Sequence, residues 1–248
     1  MLMQGVRGRD KSPGSFRNEQ NWVGLKGCAI NNAAFVPIPQ EHLMTGLERW
    51  STYAQSTEEP DPLVQLALIH VEFEALHPFK DGNGRLGRII IPLFLYWRRL
   101  LQGPNFYMSS YLEARRDEYV ETMRNVSRDA AWTEWVIFFL QGIIEQSSEN
   151  QNKASAILDL HRRMLTDIPK LTHSRFSPYV VEFLFSRPIF SSAHFLKAAK
   201  IPKPSAMRIL ATLREARILR TLREASGRRP AFYAFYDLVN VAEGKDSV

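Results

Sequence analysis

Residues 77 to 88 read HPFKDGNGRLGR, and residue types at this spacing describe a site for group transfer from a nucleotide. Gly82, Asn83 and Gly84 stand where an apolar run with helical spacing begins. A helix start leaves main-chain N–H groups unpaired, and glycine lets an anion approach them closely. Arg85 and Arg88 are three apart, share a face of that helix's first turn, and can both reach a polyphosphate. Asp81 alone would repel phosphate, but it suits Mg2+, a hard cation that takes a carboxylate together with phosphate oxygens. His77 stands where the preceding helix should stop, and an imidazole with an ordinary pKa of about 6.5 can take a proton from a hydroxyl. Each element alone has an ordinary structural explanation. Twelve positions with no spare polar residue are hard to explain that way.

The elements on either side must hold these groups in place. Pro62 sits where a first-turn proline belongs, and Leu63, Leu66, Ala67, His70 and Phe73 recur at three and four residues, which predicts a helix ending just before His77-Pro78. His70 lies on its apolar face and is expected to pack. After Gly84, Leu86, Ile89, Ile90, Leu93, Phe94 and Trp97 mark a second helix, with Pro92 inside it. Upstream, short apolar pieces between Val23 and Phe35 alternate with Gly24, Gly27 and Asn31-Asn32, which predicts a small two-stranded flap. Residues 1–20 have no hydrophobic period and read as an extended arm, with order beginning near Trp22. Tyr111 to Val126 and Ala131 to Ile144 complete a mostly helical body.

The polar stretch from Glu145 to Ser155 reads as the start of a helical connector. Beyond it the order helix, helix, short turn, long helix and hairpin, with Ser226 and Gly227 in the last turn, is that of a winged helix-turn-helix. The expected boundaries are an arm at 1–20, a catalytic domain at 21–145, a connector at 146–175, a winged-helix domain at 176–240 and a tail at 241–248. Eight basic residues lie between Lys203 and Arg229 against only Glu215 and Glu224, a footprint suited to DNA phosphates.

In 248 residues, 45% apolar and 23% charged, there is material for a real core. No apolar run is long enough to span a bilayer, so no membrane partner is expected. The amino terminus lacks a secretory pattern, which makes the cytoplasm the expected compartment. Cys28 is the only cysteine, which excludes an internal disulfide framework. The formal charge of +6 is modest, and its position matters more than its sum.

HPFKDGNGRLGR resembles the Fic motif, His-x-Phe-x-Asp/Glu-Gly-Asn-Gly-Arg-x-x-Arg, at every specified position: His77, Phe79, Asp81, Gly82, Asn83, Gly84, Arg85 and Arg88. FRNEQNWVG, AAFVPIP and YLEARRDEY extend the resemblance over roughly residues 15 to 145. It implies a mainly α fold, the Fic helical body with a β-hairpin flap, here followed by the small winged helix-turn-helix domain. It also implies transfer of AMP from ATP to a Ser, Thr or Tyr hydroxyl of a target protein, with release of pyrophosphate. His77 would be the base and Asp81 the Mg2+ ligand. The Gly82–Gly84 backbone with Asn83 would form an anion hole, while Arg85 and Arg88 would hold the outer phosphates. Tyr119 matches a position bordering the nucleotide base, Phe79 would be a core anchor, and the flap from Leu25 to Phe35 would hold the target as an added strand.

Gly84 keeps the AMP-transfer form of the anion hole, where kinase-like members carry lysine. The family's inhibitory motif, Ser/Thr-x-x-x-Glu-Gly/Asn, has no strict match; SFRNEQ at 15–20 and SSYLEA at 109–114 fail at the last position. Restraint is then expected from sequence ahead of Met1, from another chain, or not at all. Two alternatives remain: a nucleotide-sensing transcriptional regulator acting through the winged helix, and removal of AMP from modified proteins. The partners implied are a target protein at the flap, DNA at the winged helix, and a second copy of the chain.

Overall fold

The computed structural model describes residues 14–24, 27–198, 201–227 and 229–243. The first thirteen residues of the expected arm, Leu25 and Lys26 of the flap, Arg228 of the wing and residues 244–248 of the tail lie outside the described residues. The chain divides into two units, Met1–Ser148 and Glu149–Val248.

In the first unit a 3-10 turn at Gln40–His42 leads into α1 (Leu43–Gln55). Buried Gln65 donates to the carbonyls of Tyr53 (2.8 Å) and Ser56 (2.9 Å), satisfying acceptors that the end of α1 leaves open. Asp61 then accepts the amides of Leu63 (2.8 Å) and Val64 (3.4 Å) and, with Pro62 in the first turn, starts α2 (Pro62–Leu76). Leu66, Ala67, Ile69, His70, Val71 and Phe73 are all buried, so α2 is enclosed rather than laid on a surface. Two indoles lean on its carbonyls, Trp50 on Ile69 (2.9 Å) and Trp135 on Ala67 (2.8 Å).

Helix α3 (Asn83–Trp97) runs on through Pro92. It is followed by α4 (Ser109–Ala114), α5 (Arg116–Asp129) and α6 (Trp132–Thr172). Leu66, Ile69, Ile91, Leu95, Trp135 and Phe139 form the centre of this unit's core.

The polar stretch after Ile144, expected as the start of a helical connector, lies within α6, which continues for 41 residues. Glu149, Gln151 and Asn152 are exposed there, so no apolar spacing was needed to keep a run containing Glu, Gln, Lys and Ala helical. In place of a two-stranded flap, the described residues hold one antiparallel bridge, Val23 with Phe35 (2.8 and 3.1 Å), and a 3-10 turn at Ile30–Asn32. The glycines at 24 and 27 disfavour a longer ladder, and Arg124 ties the loop to α5 by donating to the carbonyl of Ala34 at 3.1 Å. Order also begins ahead of Trp22, because Arg17 is buried.

The second unit takes the rest of α6 and adds α7 (Ser177–Ser186), β1 (Ile189–Ser191), α8 (Ser192–Ala198), α9 (Lys203–Glu215), β2 (Leu219–Arg223), β3 (Phe232–Phe235) and α10 (Tyr236–Glu243). The antiparallel sheet has the order β1-β3-β2, with Ile189 and Arg220 both opposite Ala234 and an irregularity between Thr221 and Arg223. A bridge from Ser226 to Arg229 closes the hairpin turn. Val180, Leu184, Phe195, Leu213 and Phe235 are completely buried in this unit's core. Among the described residues no helix is long and apolar enough to cross a membrane.

Candidate active site

His77 caps α2 in the left-handed region (φ 46°, ψ 57°), its amide donating to the carbonyl of Phe73 at 3.1 Å. Pro78 cannot continue the helix, so the chain turns out at this point. The imidazole Nδ1 lies 3.3 Å from the carbonyl of Glu74. A carbonyl only accepts, so Nδ1 carries the proton and Nε2 keeps a free lone pair. Burial pushes the pKa of His77 below the ordinary value; the Glu74 carbonyl and Asp81 oppose this, and the Arg17 charge adds to it. The ring is therefore a neutral base at neutral pH.

The loop from Phe79 to Gly82 is held by Asn83, which is 1% exposed. Its side chain accepts from the Phe79 amide (2.9 Å) and donates to the Phe79 carbonyl (2.7 Å). This clamp occupies the Asn83 side chain, so what Asn83 can offer an anion is its main-chain N–H. Phe79 is also not a core anchor. It is half-buried, with its ring 5.3 Å from that of exposed Phe16. Gly82, at φ 90°, caps α3 without a side chain. The first α3 amide with a main-chain acceptor is that of Leu86, which donates to Gly82 at 3.0 Å, leaving those of Asn83, Gly84 and Arg85 for an anion.

A cavity of about 270 Å³ adjoins this helix start and is lined by Glu74, His77, Gly84, Arg88, Tyr119 and Arg124. Val23 and Phe35 close its flap side. Of the residues expected from sequence, the structure brings His77, Gly84, Arg88 and Tyr119 together on the cavity. Asp81 and Arg85 do not line it; they are exposed and paired with each other at 3.4 Å.

Tyr119 is mostly consumed by packing. Its hydroxyl is 3.0 Å from His70 Nε2, and His70 Nδ1 is 3.3 Å from the Gly87 carbonyl, so Nδ1 is the donor there and Nε2 accepts from Tyr119. Only the ring of Tyr119 remains for a base to contact. Burial pushes His70 down to about 4, which keeps it neutral within the core.

Two residues near the cavity carried no motif signal. Glu74 is one turn ahead of His77, and its Oε1 is buried without a hydrogen-bond partner. Burial pushes its carboxyl up to about 7, against the lowering effect of Arg88. Arg124 comes from α5 and also fixes the flap.

Among the described residues there is no cluster of three or more His, Cys, Asp or Glu that could cage a metal. A single exposed carboxylate at Asp81 beside free helix-start amides fits magnesium held mainly through phosphate oxygens.

A mainly helical body that brings an imidazole with a free ring nitrogen, a helix start with unpaired amides and an arginine together at one cavity can be compared with known proteins. Residues 1–95 match the Fic/DOC family. Over 124 residues the chain is 30% identical to a Fido domain-containing protein of Dictyostelium discoideum, a stretch covering 50% of this chain and 78% of that protein. It is 31% identical over 84 residues to the protein adenylyltransferase fic-1 of Caenorhabditis elegans, covering 33% of this chain and 15% of that one. A probable protein adenylyltransferase of Aquifex aeolicus is 30% identical over 88 residues, 28% of its length. The fold resembles that of a Fic family protein from Desulfovibrio desulfuricans G20, with a TM-score of 0.53 at 20% identity over 94% of this chain and 65% of that one. The chain belongs to the Fic/DOC family.

Proposed function

We propose that this protein transfers AMP from ATP to a Ser, Thr or Tyr hydroxyl of a target protein and releases pyrophosphate. The observation that carries this reading is the imidazole of His77, neutral and with Nε2 unoccupied, on the same cavity as Gly84 and Arg88. Nε2 takes the proton of the incoming hydroxyl, and the oxygen attacks the α-phosphorus as the bond to the leaving pyrophosphate breaks. The amides of Asn83, Gly84 and Arg85 hold phosphate oxygens. Arg88 grips the outer phosphates from the cavity and Arg85 from its exposed side. Asp81 would hold Mg2+, which when bound would supply neutralising charge to the phosphates. The target lies along Val23 and Phe35, the bridged pair that borders the cavity, and adds to it as a strand.

The free base also supports this reading over a purely nucleotide-sensing role, since a sensor needs the anion site but has no use for a proton acceptor. Incubation with labelled ATP and cell extract tests it. Label should transfer to protein with the native chain and not with His77→Ala; label transfer that is equal in both, or absent in both, overturns the assignment.

The second unit is proposed to act as a winged helix-turn-helix on duplex DNA. Lys203 and Arg208 on α9, with Arg217 and Arg229, are exposed and form no ion pair among the described residues. Arg214 is paired with Glu224 at 3.4 Å and Arg223 lies over the Phe232 ring, so the free part of the basic cluster is smaller than its count.

A further inference from the structure

Phe16 to Asn21 runs beside Leu76 to Lys80. Phe16 packs on Phe79, the Arg17 amide donates to the Pro78 carbonyl (2.8 Å), Glu19 pairs with Lys80 (2.6 Å), and Asn21 donates to the Phe79 carbonyl (3.1 Å). Arg17 is the centre of this strap and is 2% exposed. Its Nε donates to the carbonyl of His77 (3.1 Å), Nη2 to those of Ile38 and Leu76 (3.4 Å to Leu76), and Nη1 to that of Glu19 (3.2 Å).

Among the described residues every partner of this guanidinium is a main-chain carbonyl, and none is a carboxylate. A buried cation without an acid is ordinarily costly. Here the cation sits on the last carbonyls of α2, where the helix leaves acceptors unsatisfied and its dipole is negative. The fork also spans Leu76 and His77, the two residues between which the backbone passes from helical to left-handed.

We infer that Arg17 is a positioning residue for His77: it fixes the left-handed cap and thereby aims the imidazole into the cavity, without itself touching nucleotide. This rests on the proposed role of His77 as base. Arg17 does not line the cavity, so its loss should leave nucleotide binding in place. Its charge also acts on the ring, and removing that charge lets His77 titrate at higher pH. The other charged groups around the imidazole are Asp81 in the loop, Glu74 one turn ahead on α2, Arg88 of α3, Glu113 of α4, and Arg116 and Arg124 of α5; all are retained in an Arg17 variant.

The test compares Arg17→Met and Arg17→Lys with the native chain. Arg17→Met should lower kcat by on the order of 10²-fold, the scale of a misaimed catalytic group. Its KM for ATP should stay within about twofold, and the acidic limb of its rate profile should move up in pH. Arg17→Lys, keeping charge but not the fork, should leave the limb in place while kcat falls. A native kcat in both variants, or a limb unmoved in Arg17→Met, overturns the inference. Where Arg17→Met fails to fold, Arg17→Lys decides: a native kcat rejects it. The His77 ring titration, followed by NMR, needs no turnover. It separates failure here from failure of the proposed activity: an inactive native chain rejects AMP transfer, whereas an unshifted His77 titration in Arg17→Met rejects the coupling.

Discussion

Oε1 of Glu74 occupies the space that a side chain at residue 87 would need: a Cβ on Gly87 would stand 2.3 Å from it. A side chain at residue 87 would therefore have to displace the Glu74 carboxyl, whose Oε1 is buried without a hydrogen-bond partner between α2 and α3.

That carboxyl should make stability depend on pH. Its pKa is about 7 in the folded chain against 4.5 ordinarily, so between these values the folded form holds a proton that the unfolded form has released. Stability therefore falls as pH rises through this window and levels off above it. Glu74→Gln removes the slope. Denaturant midpoints of the two proteins should diverge from pH 4.5 to 7, with the variant gaining on the native chain; parallel curves would reject the assignment.

His77→Ala should lower AMP transfer by about 10² to 10⁴, the usual effect of losing a general base, while ATP binding by calorimetry changes little. The rate profile of the native chain should lose activity at acid pH, with a midpoint below the ordinary histidine value, because burial depresses this imidazole.

Asp81→Ala should remove the part of ATP affinity that depends on magnesium. Titrating ATP with and without the metal checks this. A variant that gains as much affinity from magnesium as the native chain does would exclude Asp81 as its ligand.

If the second unit binds duplex DNA, log affinity should fall with log salt at a slope of about −0.9 per phosphate contacted, and Lys203→Ala with Arg208→Ala should flatten the slope by about two. Catalysis at His77 should be unaffected. No retardation of DNA at low ionic strength would favour a docking role for this unit.

The sequence displayed α2 well, because its start is written in Asp61 and Pro62 and its end in His77-Pro78, all local signals. The motif was equally legible, since its residues act within one turn and one helix start. The strap was not, because Arg17 is ordered by carbonyls of Leu76 and His77 some sixty residues away, and such pairing leaves no period. Asn83 showed the type of its side chain but not its direction. Glu74 looked like one more polar residue in an apolar helix; that its Oε1 lies beside Gly87 of α3 follows only from how the two helices meet. In α6, exposed Glu149, Gln151 and Asn152 erase the apolar period by which a helix is read from sequence, although the helix itself continues.

The left-handed cap at His77 also bears on how this chain can be improved by mutation. A residue with a Cβ in that region carries a strain of about 1–2 kcal/mol, which glycine escapes. His77→Gly should therefore melt above His77→Ala, although both lack the imidazole that the proposed reaction uses. Selection for heat resistance alone would drift toward glycine at this position and discard the proposed base, so thermal screening of variants should be coupled to an assay of AMP transfer.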